Sequence, residues 1–501
     1  MNLDTTKILL RQALHECHYQ KAFDIGFQHL SKMQGDFELF LLCAISARSI
    51  GQSDKAEVCA REALKLLPGH QAALSILGDI LISKKEPDQA LEFLRLAVRR
   101  GGETAGNYLN IGLAYQLKNS YEKSVVYFNR ALQLNQELLS ALINRGLAEF
   151  ALKDFKTAEE TFNAALKICP DNPEVLWNKS HLLLTKGRYL EGFKLFESRH
   201  EHSELGLKRP TYAKPFWDGK LSLNGKTLLV YSEGGFGDTI QFFRYLRLFD
   251  KKTRVLLHCQ NPLISLFQRS VDDNVRVFSK GDLLPHYDYV LPIMSLPTVF
   301  KTSLKTVPKF DRYVYASNGK VQKWLEILGS KKKPRIAIAW RGSKGHVNDK
   351  NRSLSLGKIL PHLSEEIEWI SLQKDLPSDE SAVISRLKPL RDISQYIENF
   401  DDTAAVCDLV DQVVTVDTAV GHLSGALGQR VHLMLPYSSD WRWGHSAKTS
   451  QWYKNHVLYR QQAWDDWDSV LNNVFSGLLN SKVADKGRST STKSLREEVS
   501  K

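Results

Sequence analysis

Three stretches of this chain concentrate residue types that can do chemistry. Residues 234–239 read Gly-Gly-Phe-Gly-Asp-Thr, directly after the apolar run Leu228-Leu229-Val230-Tyr231. Glycines in such a turn let a ligand approach the backbone. A helix beginning at Ile240 would offer free N–H groups to a phosphate or a developing anion. Asp238 is left at the mouth of the site, where a carboxylate can take a proton. A second stretch follows the apolar segment 335–339: Trp340-Arg341-Gly342-Ser343-Lys344, then His346, Asn348, Asp349, Lys350, Asn351, Arg352 and Ser353. Basic and amide groups gathered after a strand end are placed to hold a diphosphate. The third is Val413-Val414-Thr415-Val416-Asp417-Thr418-Ala419-Val420-Gly421-His422, and Ile370-Ser371-Leu372-Gln373-Lys374 is a further strand end of the same kind. Each has a plainer reading: a solvated basic loop at 341–353, a helix cap at Asp417 and Thr418, and a structural histidine at His422.

These residues are useful only if strands and helices bring them together. Strands are expected at 227–231, 254–258, 287–291, 335–339, 367–372, 412–416 and 430–435, alternating with helical segments. That alternation argues for parallel sheets built from βαβ units. Two strand-to-turn sites facing each other would make a cleft between two α/β domains, the setting of a nucleotide-using enzyme. The run Lys331-Lys332-Lys333-Pro334 is the expected inter-domain hinge. The turn at 234–239 is not a dinucleotide fingerprint, because Ile240 stands where the third glycine would be, and no GxxxxGK[ST] occurs, which excludes a P-loop.

The first two hundred residues repeat. Ala22, Ala56, Ala90, Ser124, Ala158 and Gly192 recur at a fixed interval, as do Gly78, Gly112 and Gly146, and Ala63, Ala97, Ala131 and Ala165. Small residues at a fixed phase mean two closely packed helices per unit. The pattern, seen best at Tyr108, Gly112, Tyr115, Ser124, Phe128 and Ala131, resembles the tetratricopeptide repeat, in about six units over residues 1–203. The resemblance implies a solenoid whose concave face binds protein or peptide. The plainer alternative is a support for the second half. Tyr108, Tyr115, Phe128 and Phe162 are expected in the core between repeats. Residues 204–225, with Pro210, Pro215, Gly219 and Gly225, read as a linker packed by Phe216 and Trp217, and 481–501, rich in Ser, Thr and Lys, as a disordered tail.

Composition narrows the class. The chain has 501 residues, 43% apolar and 25% charged, which suits a soluble multidomain protein. No stretch reaches the ~18 consecutive apolar residues of a membrane span. Met1-Asn2-Leu3-Asp4 does not begin a secretory leader. The six cysteines (Cys17, Cys43, Cys59, Cys169, Cys259, Cys407) form no CxxC pair and read as small buried residues of a reducing cytoplasm. A net charge of +12 favours anionic partners: nucleotide phosphates, an anionic membrane surface or nucleic acid. No zinc-finger, RNA-recognition or basic-zipper pattern supports a specific nucleic-acid partner. The expected location is the cytoplasm, with peripheral attachment at the inner membrane as an alternative.

Taken together, Glu233-Gly-Gly-Phe-Gly-Asp-Thr-Ile-Gln-Phe, Ile338-Ala-Trp-Arg-Gly-Ser, Asn351-Arg-Ser-Leu, Ser371-Leu-Gln-Lys, Val416-Asp-Thr-Ala-Val-Gly-His-Leu, Leu435-Pro-Tyr and Asp440-Trp-Arg-Trp resemble the family-9-type glycosyltransferases, which include the bacterial ADP-heptose:lipopolysaccharide heptosyltransferases. More closely, the chain resembles bacterial proteins that join tetratricopeptide repeats to such a domain. The resemblance implies a GT-B fold of two Rossmann-like domains, an acceptor-side one over 226–330 and a nucleotide-sugar-side one over 331–480. It implies a metal-independent, inverting transfer of a hexosyl or heptosyl group from a nucleotide-sugar, with no cofactor. Asp238 matches the general base. Gly235 and Gly237 keep the turn open. Arg341, Lys344, Arg352 and Gln373, with Asp417, Thr418 and His422, would line the donor diphosphate site. The family commonly has Gly after the Thr, where this chain has Ala419. The acceptor stays open between a protein and a glycan or lipid-linked molecule. The one DxD, Asp466-Trp467-Asp468, reads as the acidic first turn of a helix rather than a metal site. The alternative to an enzyme is an inactive repeat scaffold that keeps a nucleotide-binding-like domain.

Overall fold

The computed structural model describes residues 3–30, 35–343, 345, 348–384 and 389–480. Lys344 and the expected tail 481–501 lie outside the described residues. The chain divides into two compact units, Met1–Leu182 and Leu183–Lys501.

The first unit is an all-α solenoid of antiparallel helix pairs: α1 (Leu3–His15) with α2 (Tyr19–Leu30), α3 (Phe37–Ser49) with α4 (Ser53–Leu66), α5 (Gln71–Ser83) with α6 (Pro87–Arg99), α7 (Ala105–Leu117) with α8 (Tyr121–Leu134), and α9 (Leu139–Ala151) with α10 (Phe155–Ile168). The next pair, α11 (Pro173–Thr185) and α12 (Tyr189–Phe196), straddles the division of the chain. The glycine series has a direct cause. A Cβ on Gly112 would stand 2.4 Å from the ring of Phe128, one on Gly146 would stand 2.6 Å from Phe162, and one on Gly78 would stand 2.4 Å from Leu94. Each glycine therefore admits the large side chain of its own repeat's second helix. Phe128 and Phe162 are fully buried and Tyr115 nearly so, whereas Tyr108 is half-buried. Cys43, Cys59, Cys259 and Cys407 are buried, but Cys17 is exposed and Cys169 half-exposed.

The second unit contains two parallel sheets flanked by helices. β1 (Thr227–Tyr231), β2 (Arg254–Cys259), β3 (Val275–Ser279) and β4 (Tyr289–Pro292) make a sheet of order β3-β2-β1-β4. β5 (Arg335–Ala339), β6 (Glu368–Ser371), β7 (Leu390–Asp392), β8 (Gln412–Val416), β9 (Val431–Leu435) and β10 (His456–Arg460) make the other, of order β10-β9-β8-β5-β6-β7. Every pairing is parallel, and β5 and β8 are neighbours where the strand order reverses. In open parallel α/β sheets, ligands bind at such switch points, in the crevice outside the carboxyl ends of the strands. The expected linker does more than connect, since Val290 in β4 donates to Pro215 and accepts from Trp217 along a short parallel bridge.

The expected hinge at 331–334 is displaced. The helix Asn318–Leu328 already packs on Phe400–Leu409 of the second sheet's layer, where the Trp324 indole donates to Asp402 at 3.0 Å and Lys320 pairs with the same carboxylate at 2.9 Å. The crossover therefore precedes residue 318. Polar sequence at 331–334 reflects an exposed αβ turn and not a boundary.

Gly112→Ala should lower the melting temperature of the helical unit, because overpacking of about 1–3 kcal/mol exceeds the roughly 1 kcal/mol helix-propensity gain over Gly. Gly106→Ala, in the same helix, where the nearest atom stands 4.0 Å from the added carbon, should not lower it. Circular-dichroism melts of the two variants compare them directly.

Candidate functional site

A cavity of about 910 Å³ opens at the carboxyl ends of β1, β5, β6 and β8. Its walls include Gly234–Asp238 from the first sheet's layer and Arg341, Arg352, Gln373, Asp417, Thr418, His422 and Arg442 from the second. Nine of the ten residues singled out from the sequence thus share one cavity, and the tenth, Lys344, is outside the described residues. The volume falls within the 300–1,000 Å³ or so of typical ligand sites.

Asp238 is not in the turn. The helix starts at Phe236 rather than Ile240 and ends at Phe243, which places Asp238 in its first turn. There its Oδ2 accepts the Gly235 N–H at 2.9 Å, a local cap of the helix start. Its Oδ1 accepts from Arg442 Nη2 at 2.5 Å. Each oxygen keeps a second lone pair. The glycine roles also differ from expectation. Gly234 is the residue that needs to be glycine, with φ +72° and with Asp238 Oδ2 only 2.8 Å from where a Cβ would sit. Gly235 is ordinary extended backbone. A Cβ on Gly237 would stand 2.7 Å from the His422 ring, so this glycine brings the two helix starts together and does not hold the turn open.

Gln373 is a brace. Its buried side-chain oxygen accepts the N–H groups of Trp340 and Arg341 at 3.2 and 2.9 Å, which shapes the turn after β5. Arg341 leans on Glu380 at 3.3 Å. Arg352 lies against Gly342, whose missing Cβ makes room for the guanidinium, and donates to the Asp417 carbonyl at 2.9 Å. Both arginines are half-buried on the cavity wall.

Thr418 precedes the helix Ala419–Ala426 in the N-cap position, yet its side chain makes no capping hydrogen bond and instead meets Thr415 Oγ1 at 3.1 Å. The cap expected of Thr418 is thus absent, and the helix start faces the cavity. Burial pushes the Asp417 carboxyl up to about 6, the Asp440 carboxylate adds to the rise, and Arg352 opposes it. His422 is 5% exposed, bonds Tyr453 through Nδ1 at 2.8 Å and stacks on Trp443. Burial, reinforced by Arg442, holds its pKa well below 6.5, so it is neutral. His422 therefore has a packing role that its sequence position did not reveal, although part of its ring reaches the cavity.

Sequence reading gave no role to Arg442 or Glu233, although both stand inside segments quoted above. Arg442 donates to Gln241 at 2.6 Å and to Asp440 at 2.9 Å besides Asp238, which joins the two layers across the cavity. Glu233, 8% exposed, takes Arg199 Nη2 at 2.6 Å, and Arg199 also donates to Ser295 at 2.7 Å. Charges separated this far along the chain leave no local signature. At the DxD, Asp466 takes both the Ser469 N–H and hydroxyl, capping the helix Trp467–Asn480. No helix among the described residues is long and apolar enough to cross a membrane.

Models of the tetratricopeptide repeat match residues 42–105, 105–138 and 140–172, so the chain carries these repeats. Protein FlbA of Caulobacter vibrioides is 22% identical over 95% of this chain and 90% of its own length. A UDP-N-acetylglucosamine–peptide N-acetylglucosaminyltransferase of Giardia intestinalis is 26% identical over 22% of this chain and 7% of its own length. Among solved structures, MamA from Desulfovibrio magneticus is similar at a TM-score of 0.30 and 23% identity, covering 33% of this chain and 93% of that one.

Asp417 stays protonated up to about pH 6, above the ordinary 3.8. The stability this contributes is full below about 3.8 and is lost as pH rises through about 6. An anion in the cavity meets a neutral acid below that value and a carboxylate above it. Pyrophosphate affinity, measured by calorimetry from pH 5 to 7.5, should therefore fall with rising pH more steeply in the native protein than in Asp417→Asn. The anion's own titration is common to both proteins and cancels in the comparison.

Proposed function

We propose that the protein is a glycosyltransferase that moves a sugar from a nucleotide-sugar donor to an acceptor hydroxyl, with the repeats recruiting the acceptor or its carrier. The observation that carries this reading is the cavity at the two sets of strand ends, with a carboxylate on one wall and cations and an uncapped helix start on the other. In this reading Arg341 and Arg352 hold the donor diphosphate. The N–H groups after Thr418 receive the negative charge that grows on the departing nucleoside diphosphate. Asp238 takes the proton of the acceptor hydroxyl as its oxygen attacks the anomeric carbon. Its cap to Gly235 and its bond to Arg442 hold the carboxylate in place, which serves proximity and orientation. No metal is assigned a step, because the fixed cations and helix dipole supply the positive charge. The reading also draws on the motif resemblance and on the repeats, which belong to a class that binds protein or peptide. A nucleotide-binding scaffold without transfer is the competing reading, favoured only by the engagement of both Asp238 oxygens.

Titration of the full-length protein with ADP, UDP, GDP and CMP and their common sugar conjugates should find one nucleotide bound in the micromolar range. Arg341→Ala and Arg352→Ala should each weaken it about tenfold or more, the worth of one charge-assisted contact. Asp238→Asn should abolish transfer while the nucleotide still binds. Absence of binding by every nucleotide would remove the transferase reading, and undiminished transfer by Asp238→Asn would remove the base assignment.

A further inference from the structure

Arg442 stands where the chemistry of the two walls meets. Its guanidinium has five N–H donors. Three are engaged, by Gln241 Oε1 through Nε, Asp440 Oδ1 through Nη1 and Asp238 Oδ1 through Nη2. The remaining N–H of each terminal nitrogen has no acceptor among the described residues. The side chain is 10% exposed and lines the cavity. Its guanidinium carbon stands over the Trp441 ring, 4.4 Å from the ring centroid, which helps fix the plane of the fork. It also lies within electrostatic reach of Asp417 and His422, the residues on either side of the helix start.

Building on the transferase reading, we propose that Arg442 is a further catalytic residue, which holds the Asp238 carboxylate with one part of its fork and receives the leaving diphosphate with the other, so that one positive charge passes from base to leaving group during transfer. In the resting site the guanidinium is paired with two carboxylates, Asp440 through Nη1 and Asp238 through Nη2. During the reaction the acceptor O–H bond breaks and its proton goes to Asp238. The acceptor oxygen forms a bond to the anomeric carbon. The bond from that carbon to the phosphate oxygen breaks, and its electron pair stays on the diphosphate, which gains one negative charge as Asp238 loses one. The guanidinium, anchored throughout by Asp440, exchanges Asp238 for the diphosphate as its second anionic partner without moving far, so the growing charge on the leaving group meets a cation already in place. Arginine suits this task better than lysine, because a planar fork can hold two anions at once and a single ammonium cannot hold both in fixed geometry. The arrangement also discourages wasted turnover. Without an acceptor proton to neutralise Asp238, the guanidinium stays paired to it and the diphosphate lacks its counter-charge.

The proposal makes opposite predictions for the two ends of the pair. Native protein, Arg442→Lys and Asp238→Asn are titrated with the nucleoside diphosphate that the native protein binds and with its monophosphate, after melts confirm that each variant folds. Arg442→Lys should weaken the diphosphate about tenfold or more while changing the monophosphate little, and should lower kcat by about 10²- to 10³-fold, as for loss of a preorganised donor. Asp238→Asn removes one of the two anions paired with the guanidinium and leaves Asp440 in place, and should bind the diphosphate several-fold more tightly than the native protein. A purely structural pair would weaken both nucleotides equally and would not tighten anything. Equal diphosphate affinity in all three proteins, or a loss in Asp238→Asn, overturns the role of Arg442 and leaves the transferase reading standing. Failure of the native protein to bind any nucleotide overturns both.

Discussion

The second unit is organised around buried guanidinium groups whose acceptors come from the helices and loops of both of its sheet layers. Arg244 is fully buried, and its partners are the carbonyls of Gln241, Pro308 and Trp452 and the Tyr313 hydroxyl. A cation out of water needs every donor answered. Those acceptors exist only when the helix after β1, the crossover segment before residue 318 and the loop before β10 are in place together. The arrangement of the two sheet layers is thus fixed by a hydrogen-bonding requirement as well as by apolar burial. Arg442 repeats the device nearer the cavity, and the strand ends stay registered across it because Gln241 and Asp238 must both reach the same fork.

The loop bearing the chemistry is held from a second direction. Glu233 directly precedes Gly234, and Arg199, just after α12, closes on it in a fully buried contact that also engages Ser295 and Glu197. Burial raises the Glu233 pKa and Arg199 opposes that rise, so the pair is stable only as a pair. Loss of one member of such a pair leaves an uncompensated charge and costs about 3–5 kcal/mol. The segment after the last repeat helix is therefore part of the scaffold that shapes the glycine turn, whatever the repeats bind.

Legibility in the sequence followed burial. The repeat phase was readable because small residues recur where Phe128, Phe162 and Leu94 must enter. Seven of the ten strands match expected segments, all of them within two residues at each end: β1, β2, β4, β5, β6, β8 and β9. The three not foreseen, β3, β7 and β10, are all edge strands. Half-exposed edges need no continuous apolar run, so β3 (VRVFS) and β10 (HVLYR) do not stand out as strands, and β7 has only three residues. The location of the cavity was readable because strand ends carry their polar residues in fixed sequence positions. The division of labour within it was not. Gln373, Gly237 and His422 turn out to be spent largely on backbone and ring packing, while Arg442 acquires its contact with a carboxylate 204 residues away. No pattern along the chain encodes such a pairing.

That difference explains why Asp238 can have two roles without conflict. A cap at the first turn of a helix is a common, inexpensive contact of about 1 kcal/mol, and any carboxylate there would make it. What distinguishes this one is that the remaining oxygen faces a guanidinium anchored at Asp440 and Gln241 and stacked on Trp441. The helix start fixes the carboxylate, the aromatic plane fixes the cation, and neither can rotate away without leaving a buried group unanswered. Gly234 completes the constraint, because its φ of +72° and the close approach of Asp238 Oδ2 leave no room for a side chain. The geometry is therefore built before any ligand arrives, and a reacting group entering the cavity meets charges already in position.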